Sequence, residues 1–217
     1  MKPESLKHLQ QMHQLCGEDM RYFKELIEAI IRIESETKTK SKFKIWDYVS
    51  DDTIRPSMCC VFHDEGFKVA SDGHIMVAIK ESYEEIMEGK LMKKDGTIET
   101  TSSKFPKWRD VIPNPELTKM VPVKIDFAKV RELDSAFKAK KKAAMDKWSE
   151  AFILVTPNCA FKMDYFIRAI RVMEYIGTDT LMVNEDGRKA ALARAGESTM
   201  LLMPVYSVEG QEFVYYL

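Results

Sequence analysis

Apolar positions along the chain recur at two spacings, and the changes from one to the other mark out the elements. From residue 4 to 34 the spacing is helical. Tyr22, Phe23, Leu26, Ile27, Ile30 and Ile31 fall three and four residues apart on one face, a stripe that reads as packing surface. Gly17 breaks this segment, and Glu18-Asp19 opens its second part. Residues 35–41, rich in Thr and Lys, form a polar linker. From Phe43 to Val49 the period is two, which predicts a strand. Strands follow at 57–62, 67–70 and 75–79. They are separated by the Gly-containing turns His63-Asp-Glu-Gly66 and Ser71-Asp-Gly-His74, which are hairpin chemistry. Residues 81–104 are polar, with a further turn at Asp95-Gly96. They read as a helical excursion followed by a hairpin, or as a long loop.

Phe105-Pro-Lys-Trp-Arg-Asp-Val-Ile-Pro113 has prolines near both ends and bulky residues between, which predicts an extended, anchored connector. Beyond it, 120–125 reads as a strand. Asp126 caps a helix over 127–148, with Val130, Leu133, Ala136, Phe137, Ala144 and Met145 facing inward. A strand at 152–156 precedes a second helix capped by Asp164. Phe166, Ile167, Ile170 and Met173 share one face of that helix, Arg168 and Arg171 lie on its other side, and Gly177 ends it. A hairpin over 180–194 turns at Glu185-Asp-Gly187, and Gly196 leads into Ser198-Thr-Met-Leu-Leu-Met-Pro-Val-Tyr206. The second half is therefore strand, helix, strand, helix and three strands. That is an α+β pattern and not a βαβ nucleotide fold.

The final strand has two readings. Met200 to Val205 carries no charge, as a strand buried on both faces would. Pro204 lacks a ladder donor and so marks a strand end or a sheet edge. A Met-rich strand end of this kind is either core or a docking groove.

Composition narrows the function classes. A chain of 217 residues holds one large domain or two units of about 100. The 45% hydrophobic and 31% charged residues are those of a folded, soluble chain. No apolar run approaches the roughly 20 residues that span a bilayer. The N-terminal residues lack the apolar stretch of a secretion signal, so a cytoplasmic location is expected. Cys16, Cys59, Cys60 and Cys159 are expected to be reduced, and without a CxxC pair no zinc site is expected. The net charge of −1 is uninformative about nucleic acid, but its distribution is not. Lys138, Lys140, Lys141, Lys142 and Lys147 cluster against Asp146 alone, which suits phosphate contact or a solvated helix face. No GxGxxG, P-loop, HExxH or GxSxG is present. His63 in its predicted turn reads as solvated. Asp72 and His74, near neighbours on one turn, are poorly placed to address one reacting atom. No enzyme, cofactor or metal is expected.

Three segments together resemble the bacterial replicative sliding clamp, the β subunit of DNA polymerase III. Val69-Ala-Ser-Asp-Gly-His-Ile-Met76 is similar to that family's "ATDGHRL" turn and strand. Phe105-Pro-Lys-Trp-Arg-Asp-Val-Ile-Pro113 is similar to its "FPDYRRVIP" connector. Phe161-Lys-Met-Asp-Tyr-Phe-Ile-Arg-Ala-Ile170, the hairpin after it and Leu201-Leu-Met-Pro-Val205 resemble its last helix, hairpin and "VMPM" strand. The matching stretches, 55–80, 105–113 and 160–206, cover under half the chain.

The resemblance implies a DNA-clamp-like α+β fold of two clamp-type domains, each with helices packed on antiparallel sheet. Their expected limits are 1–104, including the N-terminal helical segment, and 116–217, joined by a connector at 105–115. It also implies a partner-peptide groove. Ser71, Gly73, His74, Ile75 and Met76 would form one side, and Leu201, Leu202, Met203, Pro204 and Val205 the other. For this to hold, Leu201 and Met203 must share a face with Ile75 or Met76. If the helices line a hole, Lys138, Lys140, Lys141, Lys142, Arg168 and Arg171 are the expected phosphate contacts to duplex DNA. The chain departs from the family in having room for two domains where the family has three. It also has a shorter segment between Lys80 and Phe105, and Ile75 where the family places Arg. A six-domain ring would take three such chains. The expected function is a processivity or tethering factor that binds duplex DNA non-specifically and docks replication or repair proteins. The alternative is a non-ring interaction module with the clamp fold that binds partner peptides but not DNA.

Overall fold

The computed structural model describes residues 43–100, 103–115, 118–143, 150–184, 187–206, 208–209 and 213–217. The chain divides into two compact units, residues 1–41 and 42–217, and all the described residues lie in the second. The helix expected over 4–34 and its linker fall outside them, as do Cys16, Ala144, Met145 and Lys147.

Twelve strands and two α-helices are described: β1 (Val61–Asp64), β2 (Phe67–Ser71), β3 (Ile75–Lys80), β4 (Leu91–Met92), β5 (Ile98–Glu99), β6 (Met120–Lys124), α1 (Phe127–Ala143), β7 (Ala151–Thr156), β8 (Cys159–Lys162), α2 (Met163–Ile176), β9 (Thr180–Asn184), β10 (Ala191–Ala195), β11 (Ser198–Leu202) and β12 (Phe213–Tyr216). Nine strands make one antiparallel sheet in the order β5-β4-β1-β2-β3-β11-β10-β9-β6. The sheet passes from the first half of the chain to the second at β3 and β11, where Ala78 pairs with Thr199 and Ile75 with Leu202. A smaller sheet, β12-β7-β8, has β12 parallel to β7.

Strand alternation gives the large sheet two apolar faces. On one face Val61, Ala70, Ile75, Val77, Leu181, Val183, Met200 and Leu202 join a core with Phe166, Ile170 and Met173 of α2 and Val130 and Phe137 of α1. On the other, Phe67, Val69, Met76, Ala78, Met120, Leu192 and Leu201 pack under Trp108, with Phe105 and Ile112 beside it. Covered on both sides, β3 is buried from Ile75 to Ile79 and so reads as a continuous apolar run, not an alternating one.

The connector at 105–113 is anchored as expected but not extended throughout, since Trp108–Val111 is a 3-10 turn, and it is fastened to this second face. Phe105 stacks on Phe62 with ring centroids 5.2 Å apart, and Trp108 tilts against Phe67 at 5.3 Å. Trp108 donates its indole N–H to Asp64 at 2.7 Å. Arg109 pairs with Asp64, reaches Glu65 at 2.8 Å and lies 4.2 Å over the Trp108 ring.

Several expectations change. Residues 43–49 form no strand; Ile45–Tyr48 is a 3-10 turn whose apolar residues pack on the helix-side core. Their period-two pattern finds packing partners but no strand partner. Pro56 opens a second 3-10 turn, Pro56–Cys59, which delays β1 to Val61. Residues 81–104 contain a 3-10 turn at Glu85–Met87 and then the β4–β5 hairpin around Asp95-Gly96. The hairpin partner β8 and the late strand β12 were not foreseen.

Asp126 does cap α1, its Oδ1 accepting the N–H of Ala128 at 2.9 Å and of Lys129 at 3.0 Å. The buried residues of α1 are Val130, Asp134 and Phe137, while Ala136 is exposed. Asp134 tolerates its position by pairing with Lys138 at 2.7 Å. In α2 the predicted apolar face is buried, and Gly177 closes the helix by donating to the Met173 carbonyl at 2.9 Å. Asp164, however, lies within the first turn and caps nothing, because the helix begins at Met163. His63 is not in a solvated turn: it sits in β1 at 1% exposure, its Nδ1 without a partner among the described residues. Burial lowers its pKa below the usual 6.5.

Candidate partner groove and basic helix

The groove starts from a turn that holds itself in shape. Gly73 adopts φ +93, a backbone conformation that side chains resist. Asp72 Oδ1 accepts the N–H groups of His74 and Ile75, both at 2.9 Å. The Ser71 hydroxyl donates to the Ile75 carbonyl at 3.1 Å and accepts the Gly73 N–H at 3.2 Å. On the facing chain, Met203 donates its N–H to the His74 carbonyl at 2.8 Å. Pro204 follows without a donor, and the pairing with the turn stops there.

Leu201 lies opposite Met76 in the ladder. Leu201, Met203 and Met76 therefore share a face, as the groove requires. Together with the connector they border a cleft of about 310 Å³. Ser71, Gly73, His74, Met76, Leu201 and Met203 line it, and Ile75 borders it with its side chain in the helix-side core. The rim exposes apolar side chains, with Val111 at 55% and Met203 at 44%.

Three expected groove residues are placed elsewhere. Leu202, opposite Ile75, turns its side chain into the helix-side core. Pro204 lies beyond the cleft, half-buried. Val205 bridges to Ala160 and lines a separate cleft of about 1220 Å³ beside Tyr206. Adjacent strand residues point to opposite faces, so five consecutive positions cannot form one wall. Conversely, Arg55, Met58, Phe105, Pro106, Trp108, Val111 and Ala190 line the cleft and were not anticipated. The bulky centre of the connector was a usable signal for Trp108 and Val111. Nothing local marked Arg55 or Met58.

This architecture has solved relatives. One is the sliding clamp, DNA polymerase III subunit β, of Bartonella birtlesii bound to griselimycin. It is 14% identical with a TM-score of 0.51, over 75% of this chain and 62% of that one. The fold is that of a sliding clamp. The subunit β of Pseudomonas aeruginosa gives a TM-score of 0.49 at 14% identity, over 73% of this chain and 61% of that one. The clamp of Bacillus subtilis gives 0.47 at 12%, over 81% and 63%. This chain thus spans under two thirds of each clamp chain. No protein-family model and no curated protein matches the sequence.

Within the clamp fold, the basic residues divide by what they touch. Lys138, Lys140 and Lys142 are exposed on α1, with Lys138 held to Asp134. Lys141 is half-buried with its amine 5.7 Å from the Phe137 ring. Cations in the last turn of α1 also complement the helix dipole. Arg171 is exposed on α2. Arg168 is different: its side chain is only 23% exposed and its guanidinium is directed into the groove turn, 2.7 Å from Asp72 Oδ2. Among the described residues no group of three or more His, Cys, Asp or Glu is arranged to hold a metal ion. Cys59, Cys60 and Cys159 are unbridged, and burial pushes the Cys59 and Cys60 thiols up. No helix among the described residues is long and apolar enough to cross a membrane.

Proposed function

We propose that this protein is a non-enzymatic, clamp-like tethering factor of the cytoplasm. It docks a short apolar peptide of a replication or repair protein in the groove, and it carries duplex DNA without sequence preference. Residues 1–104 and 116–217 act as two clamp-type halves joined at 105–115. Further copies of the chain complete a ring.

The groove carries this reading. An apolar floor of Met76, Leu201 and Met203 beside a pre-formed turn suits a short extended or helical segment bearing two or three large apolar side chains. Methionines re-pack around different occupants, so one groove serves several partners. Arg55 at the same cleft adds a cation to its rim.

The test is titration of a fluorescein-labelled pentapeptide carrying two Leu and a Phe. Griselimycin, which a solved clamp binds, serves as a competitor. Saturable binding that Met203→Asp abolishes is the expected result. Binding that survives Met203→Asp would mean the groove is misassigned. For DNA, the expected result is affinity that falls steeply with salt. The second reading, an interaction module without DNA binding, is favoured by the ion pairs of Lys138 and Arg168, which occupy two of the six expected phosphate contacts. Peptide binding with no duplex binding at low salt would select it.

A further inference from the structure

The groove turn is hydrogen-bonded to α2 through Asp72. Asp72 uses its two carboxylate oxygens in two directions. Oδ1 caps the turn by accepting the N–H groups of His74 and Ile75, each at 2.9 Å. Oδ2 accepts a hydrogen bond from Arg168 Nη1 at 2.7 Å. The second arm of the same guanidinium, Nη2, donates to the Asp47 carbonyl at 2.6 Å. The guanidinium plane lies 5.1 Å from the Tyr48 ring centroid and 5.3 Å from that of Tyr165. Tyr48 in turn donates its hydroxyl to the Arg168 carbonyl at 2.9 Å, and Tyr165 packs 4.9 Å from the His74 ring. Three separate segments, the 45–48 turn, the groove turn and α2, therefore meet at one side chain.

The Arg168 and Asp72 side chains are 23% and 13% exposed. At that burial the pair differs from a screened surface bridge, and losing one partner leaves the other charge poorly compensated. A lysine would not replace it, because the planar fork supplies two donors in fixed directions while its face lies against two rings.

We infer that Arg168 is a positioning residue for the groove and not a phosphate contact. It holds Asp72 so that Asp72 holds His74, and the His74 carbonyl then receives the Met203 N–H that joins the two walls. The occupant is the short apolar peptide proposed above, and the inference rests on that reading. A pre-fixed turn spares the peptide the cost of ordering it on binding. Two of the guanidinium's donors are taken by Asp72 and the Asp47 carbonyl and its side chain is only 23% exposed, so it offers little to a duplex phosphate.

The test uses the full chain with Arg168→Met, Asp72→Asn and the double variant. Asp72→Asn keeps an oxygen to accept the turn N–H groups while removing the charge. Hydrogen exchange of residues 71–76 is read against that of helix 163–176, alongside peptide binding and DNA binding across a salt series. In either single variant, exchange of the His74 and Ile75 amides is expected to rise about tenfold, with the helix unchanged. Peptide affinity is expected to fall about tenfold. The double variant is expected to be no worse than either single, since both remove one contact. The slope of DNA affinity against salt is expected to stay as it was.

Unchanged turn exchange, additive losses, or a salt slope smaller by about one in Arg168→Met would each overturn the assignment. If Arg168→Met does not fold, unchanged turn exchange in Asp72→Asn overturns it alone. Faster turn exchange in a protein whose unmodified form takes up no peptide would leave Arg168 as the turn's anchor and sink the docking function instead.

Discussion

At the scale of residues, the chain's most constrained positions are those where one atom has no room to change. Gly187 has φ +64, and a Cβ built on it would lie 1.7 Å from the Asn158 carbonyl oxygen. Gly187→Ala must therefore push the chain at 187 away from the β7–β8 turn at Asn158. A loss of about 2 kcal/mol or more in urea unfolding is expected. His63 is a second such position. Its folded pKa lies below the usual 6.5, so between the two values the unfolded chain binds a proton that the native state refuses. Its contribution to stability is thus complete above pH 6.5 and is lost as pH falls through the folded pKa. Chemical unfolding followed from pH 7.5 down to 5 should show stability falling by up to about 1.4 kcal/mol per pH unit. His63→Phe should flatten that part of the profile, and an unchanged profile would show that another group titrates.

At the scale of elements, the connector is the piece whose attachment is easiest to test. It is held by the stacked Phe62 and Phe105, by the Trp108 indole bond to Asp64 and by Arg109 between Asp64 and Glu65. Trp108→Phe keeps most of the packing and removes the indole donor. A loss of about 1–3 kcal/mol is expected, because Asp64 keeps Arg109 but loses its part-buried neutral donor. Trp108 also lines the groove, so a weaker peptide complex should accompany the change. On α1, Lys140 and Lys142 are exposed. Under the DNA reading, replacing both by Gln should lower the salt slope by about two, as phosphate contacts do. An unchanged slope would assign these lysines to solvation and to the helix dipole.

The start of α1 at Asp126, the end of α2 at Gly177 and the hairpin turn at Asp95-Gly96 were legible in the sequence, since each has local punctuation; the far end of the helix expected to reach 148 lies outside the described residues, and the connector's 3-10 turn was not legible. Nor were the 45–48 turn, β8 and β12. A strand exists only where another strand supplies its hydrogen bonds, and alternation alone cannot report that partner.

At the scale of the whole molecule, the nine-stranded sheet makes its two halves one apolar structure at β3 and β11. Ring closure is a separate matter of association between copies. Light scattering or sedimentation across a concentration series, with and without nicked circular duplex, measures it directly. Three chains per particle, retained on the circle and released when the circle is cut, is the outcome expected of a closed clamp. A monomer that still binds the pentapeptide would select the interaction module.

By itself, the sequence determined the α+β class, from local chemistry: turn residues, apolar period, proline placement. The expectation that the Ser71–His74 turn and the Leu201–Met203 strand end lie together as two walls of one site came only from the resemblance to the clamp family. Only the tertiary structure decided which side chains of those walls face the cleft. It turned Leu202 into the core and moved Val205 to another cleft, because strand register assigns neighbours to opposite faces. It also paired Arg168, one of the expected phosphate contacts, with Asp72, a residue 96 positions away. Helical periodicity gives the side of a helix on which a residue lies, but the carboxylate waiting on that side belongs to a distant part of the chain.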